Sequence, residues 1–406
     1  MDEINIPSYF LCPISLEIMR DPVTLSTGIT YDRENIEKWV FSGKNDTCPL
    51  TKQVLVDTDF IPNHTLRRLI QAWCTLNASY GIERIPTPKP LVDKAEIIKL
   101  MDNAMKSKSQ MKSLRKLMEI ALESDRNKRC MENAGIVECL ASIITTNNSK
   151  LTIEDGVASN DEAMSILYCL QPSVVALKTL IGKNGEFLES LVQILCHGSY
   201  QSRAYAILLL RMIFEVTDPI HLTSLKSEFF IRVVQALRDH ISQHSFKVSL
   251  QILIEICQWR RNRIKTVKAG AVSVLIELLL GANDMRSTEM ILVVLDQLCA
   301  CVEGRAQLLN HGAGIAIVSK KILRVSRVGS ESAVQILSSI SKFSATSSVL
   351  QEMLQVGVLS KLCLVLQLDC TMKTKEKARE ILKLHSRVWK NCACIPPDLF
   401  SSYHSS

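Results

Sequence analysis

Phe10-Leu11-Cys12-Pro13-Ile14 and Cys48-Pro49-Leu50 bracket the part of the chain whose reading decides the fold. Pro13 and Pro49 lack an amide donor and fix φ, so both stretches read as loops rather than helix. Between them, Val23 and Leu25, then Ile29 and Tyr31, alternate around Ser26-Thr27-Gly28. That spacing predicts a β-hairpin, with Gly28 supplying a turn conformation that other residues resist. Asp32 is placed to cap a helix running to Ser42, with Ile36, Trp39 and Val40 on one face and Gly43 as its C-cap. Beyond the second loop, Asn63 follows Pro62 and is placed to cap a last helix. The expected buried face of that helix is Leu66, Leu69, Ile70 and Trp73. Tyr9, Tyr31, Trp39 and Trp73 mark a compact domain over residues 1–80.

A loop–hairpin–helix–loop plan with two Cys-Pro dipeptides suggests a RING finger. A RING needs ligands for two tetrahedral zinc sites, largely as C-x₂-C pairs. The first 80 residues offer only Cys12, Cys48, Cys74 and His64, with no such pair. The sequence therefore predicts no metal and no cofactor. Contacts between side chains have to take the place of zinc.

An ordered set of motifs fits that description. It comprises Phe10 through Met19, Asp21-Pro22-Val23, Gly28 through Arg33, Ile36-Glu37-Lys38-Trp39, Cys48-Pro49-Leu50-Thr51 and Ile61 through Arg67. On these residues the segment 8–80 resembles the U-box, the zinc-free relative of the RING. The layout of the whole chain resembles the plant U-box proteins with armadillo repeats, ubiquitin ligases of immune and stress signalling. The resemblance implies a groove for a ubiquitin-charged conjugating enzyme, lined by Ile14 and Leu16 of the first loop, Trp39 of the helix and Pro49 of the second loop. A second reading makes Trp39 and Ile14 simple core residues. The resemblance also implies that no residue here is a covalent catalyst, because the thioester belongs to the bound enzyme. Some members pin ubiquitin with a cation just after the second loop. Lys52 occupies that place, and a solvated surface lysine is the competing reading. Glu17, Asp21, Asp32 and Arg33 are expected to act as polar staples in place of zinc. Cys12 and Cys48 are expected to be buried, with no basic neighbour placed to lower their pKa.

Arg84-Ile85-Pro86-Thr87-Pro88-Lys89-Pro90 disfavours helix and reads as part of a linker over 81–92. Thr87-Pro88 has the form of a proline-directed phosphosite. From 93 to 391 the chain is Leu-rich and helical in pattern, and 392–406 reads as a polar tail. Glu132-Asn133-Ala134-Gly135 recurs as Val267-Lys268-Ala269-Gly270, then more weakly at Gly312-Ala313-Gly314 and Val356-Gly357. Degenerate copies stand at Gly185-Glu186-Phe187-Leu188 and Glu228-Phe229-Phe230-Ile231. A period of about 40–47 residues is that of armadillo and HEAT repeats, whose stacked units leave a long surface suited to protein binding. The expected fold is thus mostly α: a small α+β U-box, then an armadillo/HEAT-type solenoid of six units carrying a protein substrate. The polar stretch from Thr145 to Asp161 reads as an exposed inter-helix loop or insertion, Trp259 through Lys265 as a solvated basic turn, and Lys373 through Lys383 as an amphipathic basic helix. For Trp259 through Lys265, a site for an acidic protein surface, phosphate or nucleic acid is the competing reading.

Composition agrees. Of 406 residues, 47% are hydrophobic and only 5% aromatic, which suits stacked helices better than a β-sandwich. A net charge of +7 is too mild to point to nucleic acid. The start lacks an apolar signal region and no run reaches about 18 apolar residues. The fourteen cysteines then read as reduced thiols of a cytoplasmic protein, compatible with nuclear or peripheral membrane association. Cys392 and Cys394 read as two free thiols. Oligomeric state is not legible. A non-catalytic armadillo scaffold is the competing function.

Overall fold

The computed structural model describes residues 5–42, 45–55, 60–86, 92–106, 108–149, 154–182, 185–281 and 284–389. Gly43, Thr87, Cys392, Cys394 and the polar tail lie outside them. The chain divides into two compact units, Met1–Leu91 and Val92–Ser406.

In the first unit, β1 (Pro22–Thr24) and β2 (Thr30–Asp32) pair antiparallel, with Val23 opposite Tyr31. Gly28 turns the hairpin at φ 78°. A third strand, β3 (Ile61–Pro62), pairs with the other edge of β1 and gives the order β2-β1-β3. The expected helix from Asp32 divides in two: α1 (Arg33–Glu37) continues as a π-helical turn over Lys38–Ser42, which carries Trp39. Helix α2 (His64–Leu76) is capped by Asn63, whose Oδ1 accepts the Leu66 amide at 3.0 Å. Its buried residues are Ile70 and Cys74, with Leu66 and Trp73 packed beside them. Leu69 is exposed, so that expectation is corrected; Cys74 takes its place on the inner face. Ile82 and Ile85, inside the stretch read as linker, pack on this core.

The second unit opens with α3 (Lys94–Ala104) and α4 (Gln110–Glu123). Six three-helix units follow, as expected. The first is α5 (Asp125–Asn133), α6 (Ile136–Ser149) and α7 (Glu154–Leu170). The second is α8 (Val174–Gly182), α9 (Glu186–His197) and α10 (Tyr200–Val216). The third is α11 (Pro219–Thr223), α12 (Ser227–Asp239) and α13 (Gln243–Ile256). The fourth is α14 (Arg260–Lys268), α15 (Ala271–Gly281) and α16 (Met285–Cys299). The fifth is α17 (Val302–Asn310), α18 (Gly314–Lys321) and α19 (Arg327–Phe343). The sixth is α20 (Ser347–Gln355), α21 (Val358–Gln367) and α22 (Met372–Leu384), closed by α23 (Ser386–Trp389). Each third helix packs on the next, from α4 through α22, around one continuous apolar core.

The glycine signature has two physical causes. Gly270 sits between α14 and α15 at φ 81°, where a side chain would be strained. Gly314 instead starts α18 against the preceding helix: a Cβ there would stand 2.1 Å from the Leu308 carbonyl. Two expectations are corrected. Most of the polar stretch 145–161 is helix, belonging to α6 and α7. The basic segment 260–265 is the start of α14 rather than a turn. The basic helix at 373–383 is present as α22. Among the described residues no single helix is long and apolar enough to cross a membrane.

The first helix of three units also carries a recurring polar device. Asn127 donates to the Ile120 carbonyl at 3.1 Å, and Asn262 to the Ile256 carbonyl at 3.0 Å. Arg305 donates to the Cys299 carbonyl at 3.0 Å. Each satisfies a carbonyl that the end of the preceding long helix leaves without an intrahelical partner. Asn262 also reaches the Leu222 carbonyl at 2.9 Å and is fully buried. Replacing it orphans two carbonyls in a dry interior. Asn262→Ala is expected to lower unfolding free energy by about 2–3 kcal/mol, read by denaturant melts of the full chain.

Candidate functional site: two sulfur-centred loops and a tryptophan

Cys12-Pro13-Ile14-Ser15-Leu16-Glu17-Ile18 and Cys48-Pro49-Leu50-Thr51-Lys52-Gln53-Val54 are two copies of one loop. The Cys12 amide donates to the Glu17 carbonyl at 2.8 Å, and the Cys48 amide to the Gln53 carbonyl at 2.8 Å. The Leu16 amide returns to the Cys12 carbonyl at 2.8 Å, and the Lys52 amide to the Cys48 carbonyl at 2.9 Å. Leu11 bridges Ile18, and Thr47 bridges Val54. The fifth residue of each loop is left-handed, Leu16 at φ 59° and Lys52 at φ 60°. Neither is glycine, so each carries about 1 kcal/mol or more of backbone strain that the rest of the loop holds in place.

A buried sulfur sits at the centre of each loop. Cys12 Sγ accepts the Asp32 amide at 3.3 Å and Asn35 Nδ2 at 3.7 Å; Asn35 also donates to Ser15 Oγ at 3.0 Å. Cys48 Sγ lies 3.1 Å from the Tyr31 hydroxyl and accepts from Thr27 at 3.5 Å. The Tyr31 hydroxyl in turn accepts the Leu50 amide at 3.2 Å. Burial alone raises the Cys48 pKa, but hydrogen bonds from Thr27, Thr51 and Tyr31 outweigh it and bring the thiol down to about 6. Burial and the same sulfur push the Tyr31 phenol up. The expectation concerned a basic neighbour; the groups that lower the Cys48 pKa are hydroxyl donors, which residue types along the sequence do not reveal. Because Cys12 and Cys48 are wholly buried, neither thiol can meet a substrate.

Around the loops, Asp21 accepts Arg33 Nε at 2.6 Å and Arg67 Nη1 at 3.4 Å, and Arg33 stands 3.7 Å from Glu37. Asp32 is the N-cap residue of α1, but its carboxylate makes no bond to that helix. It accepts the amides of Arg20 and Asp21 at 2.9 and 2.7 Å instead. Glu17 is exposed and contributes its backbone carbonyl to the first loop. Asn35, Glu37 and Arg67 are the polar partners the sequence reading missed. Among the described residues no three His, Cys, Asp or Glu side chains converge to hold a metal ion.

Outward, the frame presents apolar side chains. Leu16 is 73% exposed and Leu50 60%. Ile14, Pro49 and Trp39 are half-buried, with Ile14 and Trp39 resting on the core. Trp39 is fixed by its Nε1, which donates to the Thr47 carbonyl at 2.8 Å, so the indole is tied to the strand entering the second loop. Asn45 Nδ2 holds the Trp39 carbonyl at 3.1 Å. Lys52 places its ammonium 5.5 Å from the Trp39 ring centroid. The surface thus combines exposed aliphatic residues on twin loops, a positioned tryptophan and one adjacent cation. It is shaped for an apolar-centred protein contact with a polar rim.

A pH dependence follows. The Cys48 pKa is depressed on folding, so its thiolate contribution is complete above the ordinary thiol value of 9.0 and is lost as pH falls through about 6. Acidification across that window is expected to lower the thermal midpoint of the first unit. Tyr31→Phe removes one donor and is expected to move the Cys48 titration upward, read by thiolate ultraviolet absorbance.

Comparison with known proteins agrees with this geometry. Residues 6–79 match the U-box domain, and residues 95–405 match the plant U-box protein ARM repeat region. The chain is similar to the E3 ubiquitin-protein ligase PUB23 of Arabidopsis thaliana, 54% identical over 99% of this chain and 98% of that one. It is 52% identical to the E3 ubiquitin-protein ligase PUB22 of the same plant, over 99% of both chains. A solved structure concerned with the phosphorylation-controlled interaction between cadherin and beta-catenin aligns with a TM-score of 0.57, covering 81% of this chain and 58% of that one. At 15% identity this last likeness shows the fold alone. Matched in both of its units and along nearly its whole length, the chain belongs to the plant U-box, armadillo-repeat family of E3 ubiquitin-protein ligases.

Proposed function

We propose that the twin-loop surface receives a ubiquitin-charged conjugating enzyme while the solenoid holds a protein substrate. The single observation that carries this is the pairing of Leu16 and Leu50 on matching loops beside Trp39. Large apolar side chains are held out to solvent there by a strained, hydrogen-bonded frame. That arrangement costs stability unless a partner covers it. Ile14 and Pro49 complete the contact. The substrate amine attacks the thioester carbonyl on the conjugating enzyme, and the enzyme's cysteine leaves as thiolate. This chain contributes orientation and proximity. Both of its loop cysteines are spent on holding the loops, which fits a mechanism without a covalent ligase intermediate.

Lys52 has a defined place in this reading. Its ammonium is already poised at the edge of the docking surface over Trp39. A point charge there can hold ubiquitin against its carrier, although it lacks the forked donors of arginine. We extend the reading to plant immune and stress signalling, which the family resemblance implies, and to the cytoplasm, where reduced cysteines fit. The non-catalytic scaffold is the alternative, and the presentation of Leu16, Leu50 and Trp39 disfavours it.

Trp39→Ala is expected to weaken conjugating-enzyme binding by about 2 kcal/mol, roughly thirtyfold, and to abolish self-ubiquitination. Normal activity in that variant removes the proposed docking site. Lys52→Ala is expected to slow discharge of ubiquitin to free lysine, while carrier affinity changes by about fivefold at most, the worth of one exposed cation–π contact. Unchanged discharge returns Lys52 to the status of a surface lysine.

A further inference from the structure

Helices α16, α19 and α22 pack side by side. Lys373 in the first turn of α22 pairs with Glu331 near the start of α19 at 3.1 Å, and Lys342 pairs with Glu380 toward their other ends. Helices α19 and α22 therefore run parallel, with their first turns at one edge of the solenoid, and the start of α19 at Gly329 lies against Leu292 in the middle of α16. An exposed apolar residue stands in each first turn: Met285 at 60%, Val328 at 49% and Met372 at 66%. Tyr200 holds the same place on α10 and is 69% exposed. The first turn of α13, between α10 and α16, is polar (Gln243-His244-Ser245), so such side chains are consecutive only on α16, α19 and α22, where neighbouring helix axes lie about 8–10 Å apart.

The same edge carries cations without neutralising partners. Residues 304–330 contain five Lys and Arg and no Asp or Glu. Arg305 is buried, and the other four fall in one window: Lys320, Lys321, Arg324 and Arg327, where α18 ends and α19 begins. Among the described residues none of these four is held by a carboxylate. Nearby acids are engaged elsewhere: Asp284 with Lys247 at 3.0 Å, Glu289 with Arg286 at 2.5 Å, and Glu331 with Lys373. Asp296 of α16 faces Glu331 and Lys373; burial first, and then the Glu331 carboxylate, push its pKa up to about 7, toward the neutral form. Asp369, before α22, is exposed. Burial and the neighbouring Lys320 ammonium lower the Lys321 pKa, as expected for a cation pair with no anion between them. Leu323, inside this window, adopts φ 62° and is pinned by its amide to Ser330 Oγ at 3.0 Å, so the cations are displayed from a fixed turn.

We propose that this edge, the first turns of α16, α19 and α22 with the turn 320–327, docks on an anionic phospholipid surface. Separate apolar side chains at repeat spacing do not build one anchor pocket for a protein partner, but each can enter the headgroup boundary independently. Unpaired cations beside them supply the attraction to lipid phosphate and carboxylate. The inference stands on the solenoid alone and is independent of the U-box reading.

The test is co-sedimentation of the full chain with phosphatidylcholine vesicles, with and without phosphatidylserine. Binding is expected only with phosphatidylserine present, and to weaken with added salt. Lys320→Gln with Arg324→Gln is expected to lower partitioning by about 25-fold, roughly fivefold per cation. Met285→Ser with Met372→Ser is expected to lower it as well. The thermal midpoint and self-ubiquitination of both variants should match the parent, which separates lost docking from lost fold. Equal binding to pure phosphatidylcholine, no vesicle binding by the parent chain, or undiminished binding by both variants overturns the proposal. So does capture of the edge by soluble polyglutamate in place of vesicles, which assigns it to an acidic protein.

Discussion

The sulfur of Cys12 takes the Asp32 amide at 3.3 Å, and the sulfur of Cys48 meets the Tyr31 hydroxyl at 3.1 Å. On those two contacts depends where the loops stand, and on the loops depends where Leu16, Leu50 and Trp39 point. In a RING the equivalent task falls to zinc thiolates. Here hydrogen bonds to sulfur, the Asp21–Arg33–Arg67 cluster and an apolar core around Val23, Tyr31 and Ile36 share it. Sulfur is a weak acceptor when neutral, so the donors gathered around Cys48 gain most when it is a thiolate. The low pKa of a cysteine that no substrate can reach is then a structural property rather than a sign of nucleophilic catalysis.

The solenoid follows a comparable rule in a different chemistry. Helices α4, α13 and α16 end with carbonyls that lack an intrahelical partner, and an unsatisfied buried carbonyl is costly. Asn127, Asn262 and Arg305 each satisfy one from the helix that follows. Further bonds tie each unit to its neighbour, such as Gln297 to the Ile254 carbonyl and Gln307 to the Val267 carbonyl. Stability of the array is therefore distributed along its length, and the exposed side chains remain available for partners.

Much of this was legible in the sequence. Alternation around Gly28 gave the hairpin, the Asn63 cap gave α2, and recurring glycines gave the repeat. The twin loops were equally written there, as Cys-Pro-[Ile/Leu]-[Ser/Thr]-x-[Glu/Gln]-[Ile/Val], but only their Cys-Pro dipeptides were read. Asn127 and Asn262 each stand eight residues before the glycine of their repeat, a shared offset that was also available. Other features depend on tertiary context. Leu69 fits an apolar helical face, and only the packing of α2 shows that Cys74 is chosen instead. The π-helical turn at Trp39 has no local signature, and the polar residues 145–149 and 154–161 stand in α6 and α7. Residue type points to Asp32 as a side-chain cap, and that expectation fails, because the amides of Arg20 and Asp21 claim its carboxylate and it makes no bond to α1.

Mapping backbone-amide perturbations of the full chain during titration with a conjugating enzyme tests the account most directly. Shifts gathered on residues 12–18, Trp39 and 48–54 are the predicted result. Perturbation of the solenoid or the outer face of α2, with both loops silent, would contradict it.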